Sequence, residues 1–234
     1  MSDHYDNRGI VYTDFIKNLH AVLNPRTYFE IGTMFGGTLE LASCATICID
    51  PGFDIRCSPT GQRPATMLFQ MTSDRFFQDY SPVDLFKAEI ELAFLDGLHE
   101  FETTLRDFIN TERHCRPNSV VMMHDCVPFG PSITTRTDPI GAWTGDVWKL
   151  IPALRKYRPD IDLSVFDASL TGLVCCTNLN PASTVLRDNY KQICAEWRDV
   201  DLSDYGFAKF IDEAQMISTD RASIPEDVRK YFWL

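Results

Sequence analysis

Two short stretches place carboxylates and imidazoles where they can do chemistry. "FLDGLHEFETTLRD" (94–107) follows an apolar run with Asp96 and then His99, and "SVVMMHD" (119–125) ends a second apolar run with His124 and Asp125. The carboxylate oxygens of Asp96 and Asp125 are hard donors suited to Mg²⁺ or Mn²⁺, and a histidine beside them has the pKa of a general base. Either device deprotonates a hydroxyl, the base by taking its proton and the ion by lowering its pKa. The same residues admit a blander reading, in which Asp96 caps a helix from Gly97 onward and His124 ties a strand end to a loop.

A third stretch is a glycine corner, Glu30-Ile31-Gly32-Thr33-Met34-Phe35-Gly36-Gly37, and Asp50 follows 18 residues after Gly32. Glycines let a backbone turn sharply and approach a ligand, and a helix start behind them favours negative charge. An acidic residue at this distance, ending the next strand, is placed to accept hydrogen bonds from ribose hydroxyls. Together they imply a cofactor containing a nucleoside. Met34 stands where the dinucleotide fingerprint wants its second glycine, which disfavours nicotinamide or flavin dinucleotides. Without a ligand, the corner is simply a turn packing a helix on a strand.

The elements that must position these residues are legible as apolar runs. Ile10 to Leu23 has helical spacing and is closed by Asn24-Pro25. Strands are expected at "TYFEIGT" (27–33), "ATICID" (45–50), "TMLFQM" (66–71), "ELAFLD" (91–96) and "SVVMMHD" (119–125), with a helix in "TLELAS" and a clearer one from Phe101 to Cys115. Short apolar strands alternating with helices imply βαβ units and a parallel sheet covered on both faces. In such sheets ligands bind beyond the carboxyl ends of the strands, where all the polar clusters fall. Cys126 to Gly145 lacks periodicity and carries prolines at 128, 131 and 139; with Phe129, Arg136 and Trp143, and Trp148 nearby, it is either a cover over an acceptor or a surface loop. "DVWKLIPALRKY" resumes as a helix, and "DLSVFDA" and "TGLVCCT" are strands joined by a turn too short for anything but antiparallel pairing. One domain is expected over 1–234: an N-terminal helix at 10–24, a cofactor-binding core at 27–178 and a helical extension at 181–234, whose "YGFAKF" and "RKYFWL" suit packing or contact in a homo-oligomer.

Composition narrows the partners. At 44% hydrophobic and 24% charged, the 234 residues are those of an ordinary globular protein, with no apolar run long enough to span a bilayer. "MSDHYDNRG" has no signal-peptide pattern, so the expected compartment is the cytoplasm. The eight cysteines lack repeated C-x-x-C spacing and read as buried thiols before zinc ligands. A formal charge of −11 argues against nucleic acid as partner.

The segments "YFEIGTMFGGTLELA", "ICID", "LAFLDGLHEFETTLRDF" and "VVMMHDCVP", in this order and spacing, resemble the class I S-adenosylmethionine-dependent methyltransferases. The resemblance covers roughly residues 10 to 178 and is closest to the group of catechol-type and macrolide-sugar O-methyltransferases and cephalosporin-hydroxylase-like proteins. It implies a Rossmann-like α/β fold with a mostly parallel seven-stranded sheet and an antiparallel last strand. It further implies that Glu30 and the backbone at Gly32, Thr33 and Gly36 hold the methionine end of S-adenosyl-L-methionine, that Asp50 binds its ribose, and that Thr72, Ser73 or Asp74 passes the adenine. Asp96, Gly97 and His99 match an Asp-Gly-x-His segment that supplies a metal ligand and a catalytic base, with Asp96 also bordering the cofactor. His124 and Asp125 stand where two acidic or amide residues complete the metal site, and an imidazole there suits Mn²⁺, Fe²⁺ or Zn²⁺ better than Mg²⁺.

The expected activity is methyl transfer to a hydroxyl of a small molecule, a sugar or a phenol, with divalent-metal assistance and His99 as base. A non-catalytic module that keeps the fold, and an NAD-linked oxidoreductase, are the competing expectations.

Overall fold

The computed structural model describes residues 4–137, 142–222 and 225–232. Pro139 in the long loop and the last two residues of "RKYFWL" lie outside them. Seven strands form one sheet: β1 (Thr27–Ile31), β2 (Ala45–Ile49), β3 (Thr66–Phe69), β4 (Ile90–Leu95), β5 (Cys115–His124), β6 (Asp162–Phe166) and β7 (Leu173–Thr177), in the order β3-β2-β1-β4-β5-β7-β6. β1 to β5 are parallel, while β7 is inserted between β5 and β6 and runs antiparallel to both. This is the Rossmann-like methyltransferase arrangement.

The central strands are apolar almost throughout because both faces of the sheet are covered. Side chains alternate between faces with the period of a strand. Phe29, Ile31, Ala93, Leu95, Val121 and Met123 meet one layer, which includes Phe101, Leu105 and Phe108 of α4 (Phe101–Glu112). Tyr28, Leu92, Phe94, Val120 and Met122 meet the other, where α1 (Tyr12–Leu23) contributes Phe15, Ile16 and Leu19.

Register fixes the rim. Ile31 pairs with Ile49 on one side and Leu95 on the other, and Leu95 pairs with Met123. The next residues, Gly32, Asp50 and Asp96, therefore leave three adjacent strands at the same height, level with His124, the last residue of β5.

One expected helix and one expected cap differ. "TLELAS" forms one 3₁₀ turn, Leu39–Leu41, because the buried Arg63 guanidinium donates to the carbonyls of Leu39 (2.7 Å) and Ala42 (3.1 Å) that a longer helix would use. Asp96 caps nothing: residues 96–100 are a loop and α4 begins at Phe101, whose amide donates to Asp146 Oδ1 at 2.7 Å. Short helices α2 (Ser73–Asp79) and α3 (Pro82–Phe86) lie between β3 and β4, α5 (Leu150–Tyr157) precedes β6, and helical segments continue from Val185 to Val228. All eight cysteines are free thiols. Among the described residues, no helix is long and apolar enough to cross a membrane.

Candidate functional site

A cleft of about 740 Å³ opens along this rim. Its floor depends on how β1 and β4 end. Gly32 has φ +89°, and a Cβ there would lie 1.9 Å from the backbone oxygen of Asp96, so the two strand exits touch in a way only glycine permits. Met34 also has positive φ (42°), and its amide donates to Asp50 Oδ2 at 2.8 Å while Gly52 N donates to Asp50 Oδ1 at 2.8 Å. Asp50 thus pins two loops and still carries free lone pairs at the cleft wall. A Cβ on Gly37 would meet nothing within 4 Å, which leaves that stretch of backbone open to a ligand.

Of the residues anticipated for a cofactor, Gly32, Thr33, Asp50, Thr72, Ser73 and Asp96 line the cleft. Two do not reach its wall. Gly36 turns toward Cys57 and Ile55. Glu30 is fully buried beneath the floor, surrounded by Tyr28, Thr33 and Thr38, yet neither of its oxygens has a hydrogen-bond partner of good geometry. Burial raises its carboxyl pKa despite these neighbours. Thr72 is the N-cap of α2, accepting from Arg75 N at 3.3 Å, and Asp74 is held by Arg106 through two hydrogen bonds.

At one end of the cleft the two aspartates and two histidines converge. Ligand atoms of Asp96, His124 and Asp125 all lie within 4.8 Å of one another, the spacing of a site able to hold a cation. His124 Nδ1 is 3.5 Å from both Asp96 Oδ1 and Asp125 Oδ1, its ring lies 4.1 Å from that of Tyr12, and Thr171 donates to Asp125 Oδ1 at 2.5 Å. His99 Nδ1 sits 3.1 Å from the carbonyl of Trp143, which can only accept, so Nδ1 carries a proton. Its Nε2 consequently faces Asp125 Oδ2 at 3.1 Å and Asp96 Oδ1 at 3.5 Å.

The charges set the protonation. Burial works against charge on both histidines but is outweighed. For His124 the Asp96 and Asp125 charges, with their hydrogen bonds, push the pKa up to about 10. For His99 the Asp96 hydrogen bond, the Asp125 and Asp96 charges and the Trp143 carbonyl raise it. Burial opposes ionisation of Asp96 too, yet His124 and His99 hold its carboxyl well below the usual range. Burial, with the charges of Asp96, Asp125 and Glu30, drives the Tyr12 hydroxyl up to about 12. Without a cation the neighbouring carboxylates therefore favour a proton on His124.

The long loop returns over this end. Its Arg136 donates to Glu102 (2.9 Å) and Asp146 (2.7 Å), and Trp143 lies 5.0 Å from the His99 ring. Gly145 (φ +55°) packs so closely that a Cβ would lie 1.7 Å from the His99 carbonyl oxygen. Tyr12, Thr171, Asp146 and Asp107 had not been singled out from the sequence. Asp107 had a signal, since it lies between Thr104 and Thr111 on the buried side of α4. Tyr12 and Thr171 meet partners 46 or more residues away, and Asp146 reaches the Phe101 amide 45 residues away, contacts that leave no local trace.

Residues 29–126 match the family model described as "Methyltransferase domain". No curated protein matches the sequence. Among solved structures, the O-methyltransferase TomG of Streptomyces achromogenes, involved in tomaymycin synthesis and bound to S-adenosylmethionine, aligns with a TM-score of 0.51 and 14% identity over 72% of this chain and 80% of its own. An O-methyltransferase of Bacillus cereus in complex with S-adenosylhomocysteine aligns with a TM-score of 0.51 and 14% identity over 70% and 79%. The chain thus has the fold of the class I S-adenosylmethionine-dependent methyltransferases, and its residues 29–126 are similar to a methyltransferase domain.

Proposed function

We propose that this protein is an O-methyltransferase that uses S-adenosylmethionine to methylate a hydroxyl of a small sugar or phenol. The observation that carries this reading is His99, whose Nδ1 is fixed by the Trp143 carbonyl and whose Nε2 is turned toward Asp96 and Asp125 inside the cleft. The residues present fit the cofactor. Asp50 offers free lone pairs to a ribose, Gly37 leaves an open cradle, and the carboxyl of Glu30 lies buried just under the floor beside Thr33 and Thr38. Thr72, Ser73 and Asp74 form the wall for the base.

The donor set of Asp96, His124 and Asp125 also fits a divalent cation, and one imidazole among two carboxylates favours Mn²⁺ over Mg²⁺. Bound, S-adenosylmethionine supplies an electrophilic methyl group and the cation lowers the pKa of the acceptor hydroxyl. The chain's own work is positional. Asp96 and Asp125 would hold the cation at the acceptor end, and His99, whose Nδ1 proton is held by the Trp143 carbonyl, would take the hydroxyl proton at Nε2. Trp143 and Tyr12 wall that end against water.

The test is His99→Ala, assayed with labelled donor against a panel of sugars and phenols. Turnover is lost while S-adenosylhomocysteine still binds by calorimetry; undiminished turnover would refute the base. Absence of any transfer by the wild type, with binding intact, would favour a non-catalytic module.

A further inference from the structure

Away from the histidines, the cleft contains a carboxyl group that the reading above does not use. Asp107, on α4, lines the cleft but is only 2% exposed, and its Oδ1 is buried without a hydrogen-bond partner. It stands beside Ser73 at the start of α2 and behind Gly97, where a Cβ would come within 3.8 Å of its Oδ2 and 3.1 Å of Ile31. Gly97 thus borders the carboxyl, and both line the cleft.

We propose that Asp107 reads the amino-pyrimidine edge of the cofactor's base, its carboxyl accepting a hydrogen bond from the exocyclic amine and donating one to the adjacent ring nitrogen. This rests on the cofactor reading above and assigns the base a recognition residue on α4. The position follows from the layout of the cleft. Asp107 lines the same cleft beside Ser73, in the segment that the cofactor reading assigns to the base. The chemistry follows from the orphaned oxygen. A buried carboxyl oxygen lacking a partner costs free energy unless a ligand satisfies it, and a neutral carboxyl presents one donor and one acceptor side by side, the complement of adenine's edge.

The charge environment favours the neutral form. Burial pushes the Asp107 pKa up to about 7, with Ser73 working against the rise, Asp74 adding to it and Arg106 opposing it. Asp74 of α2 and Arg106 of α4 are bound to each other, so their effects on Asp107 largely offset, and the β4 exit presents the uncharged Gly97. Above pH 7 the carboxylate loses its donor and sets a negative charge against the lone pair of the ring nitrogen.

Calorimetry on the full chain with S-adenosylhomocysteine and its deaminated analogue S-inosylhomocysteine tests this. Deamination replaces the amine by an oxygen and puts a proton on the ring nitrogen, reversing both hydrogen bonds, and the carboxyl could follow only by moving its proton to the oxygen that already accepts from Ser73. The ratio of the two affinities also cancels titrations that the ligands share. At pH 6 the wild type prefers the adenine compound at least about tenfold, the size of one or two hydrogen bonds, and the preference shrinks at pH 8. Asp107→Asn, whose amide donates and accepts in the same sense, keeps the preference at both pH values. Asp107→Leu binds both ligands with nearly equal affinity. A wild-type preference that is absent or does not change with pH overturns the proposal, as does an Asp107→Asn variant that still loses its preference between pH 6 and pH 8. If neither ligand binds the wild type, the cofactor reading itself fails; equal binding of both ligands refutes only the role of Asp107.

Discussion

Asp146 is the joint between the long loop and the helix behind the reacting end, and its removal has a calculable cost. Its side chain is 3% exposed and accepts three hydrogen bonds, from Phe101 N (2.7 Å), Arg136 Nη1 (2.7 Å) and Lys149 Nζ (2.8 Å). Lys149 is equally buried, and its other recorded partner is the Arg198 carbonyl at 3.2 Å. Asp146→Ala leaves an ammonium group in the interior without a counter-charge, a change that costs about 3–5 kcal/mol. It also orphans the first amide of α4, worth about 1 kcal/mol. These losses overlap, so about 4 kcal/mol is expected, a large share of the roughly 5–15 kcal/mol that holds a domain together. Urea unfolding of the wild type, Asp146→Ala and Asp146→Ala/Lys149→Met measures it. Because the double variant no longer buries a charge, it recovers at least half of the loss. A single variant within about 1 kcal/mol of the wild type, or a double variant no better than the single, would refute the reasoning.

Gly145→Ala forces a Cβ into the His99 carbonyl and should lower turnover about 10- to 100-fold by displacing the imidazole, with S-adenosylhomocysteine affinity within about threefold of wild type. Single-turnover kinetics and calorimetry separate the two effects, and unaltered turnover would show that the loop does not position His99. A metal must displace the proton that Asp96 and Asp125 keep on His124, whose pKa is pushed up to about 10. Mn²⁺ binding should therefore tighten about tenfold per pH unit from pH 7 toward pH 9 and release about one proton per ion at pH 7. Calorimetry in buffers of different ionisation enthalpy reads that release, and none would exclude His124 as a ligand. Asp50→Ala frees the amides of Met34 and Gly52 as well as removing the acceptor, and should weaken S-adenosylhomocysteine by at least about tenfold; an unchanged dissociation constant would contradict its placement at the ribose.

The sequence by itself determined the sheet and its rim. Apolar runs such as "YFEI", "ATICI" and "LAFL" can be satisfied only by burial on both faces, and each ends in the residue that steps out of the sheet: Gly32, Asp50 and Asp96. Parallel pairing then aligns those exits, so the convergence of Asp96, His99, His124 and Asp125 was readable from strand ends alone. The start of α4 at Phe101 was readable as well, but the group that caps it and the fate of "TLELAS" were not, because each depends on a polar group arriving from elsewhere. Asp146 comes from 45 residues downstream to take the Phe101 amide, and Arg63 folds back onto the carbonyls of Leu39 and Ala42. Likewise only the tertiary structure decided that Glu30 lies under the floor rather than in the cleft, and that the Trp143 carbonyl chooses which nitrogen of His99 faces the carboxylates. Hydrophobic periodicity is a local property of the chain and survives in the sequence. Hydrogen-bond partners and the electrostatic neighbours that set a pKa are chosen by proximity in space, which the local pattern does not encode.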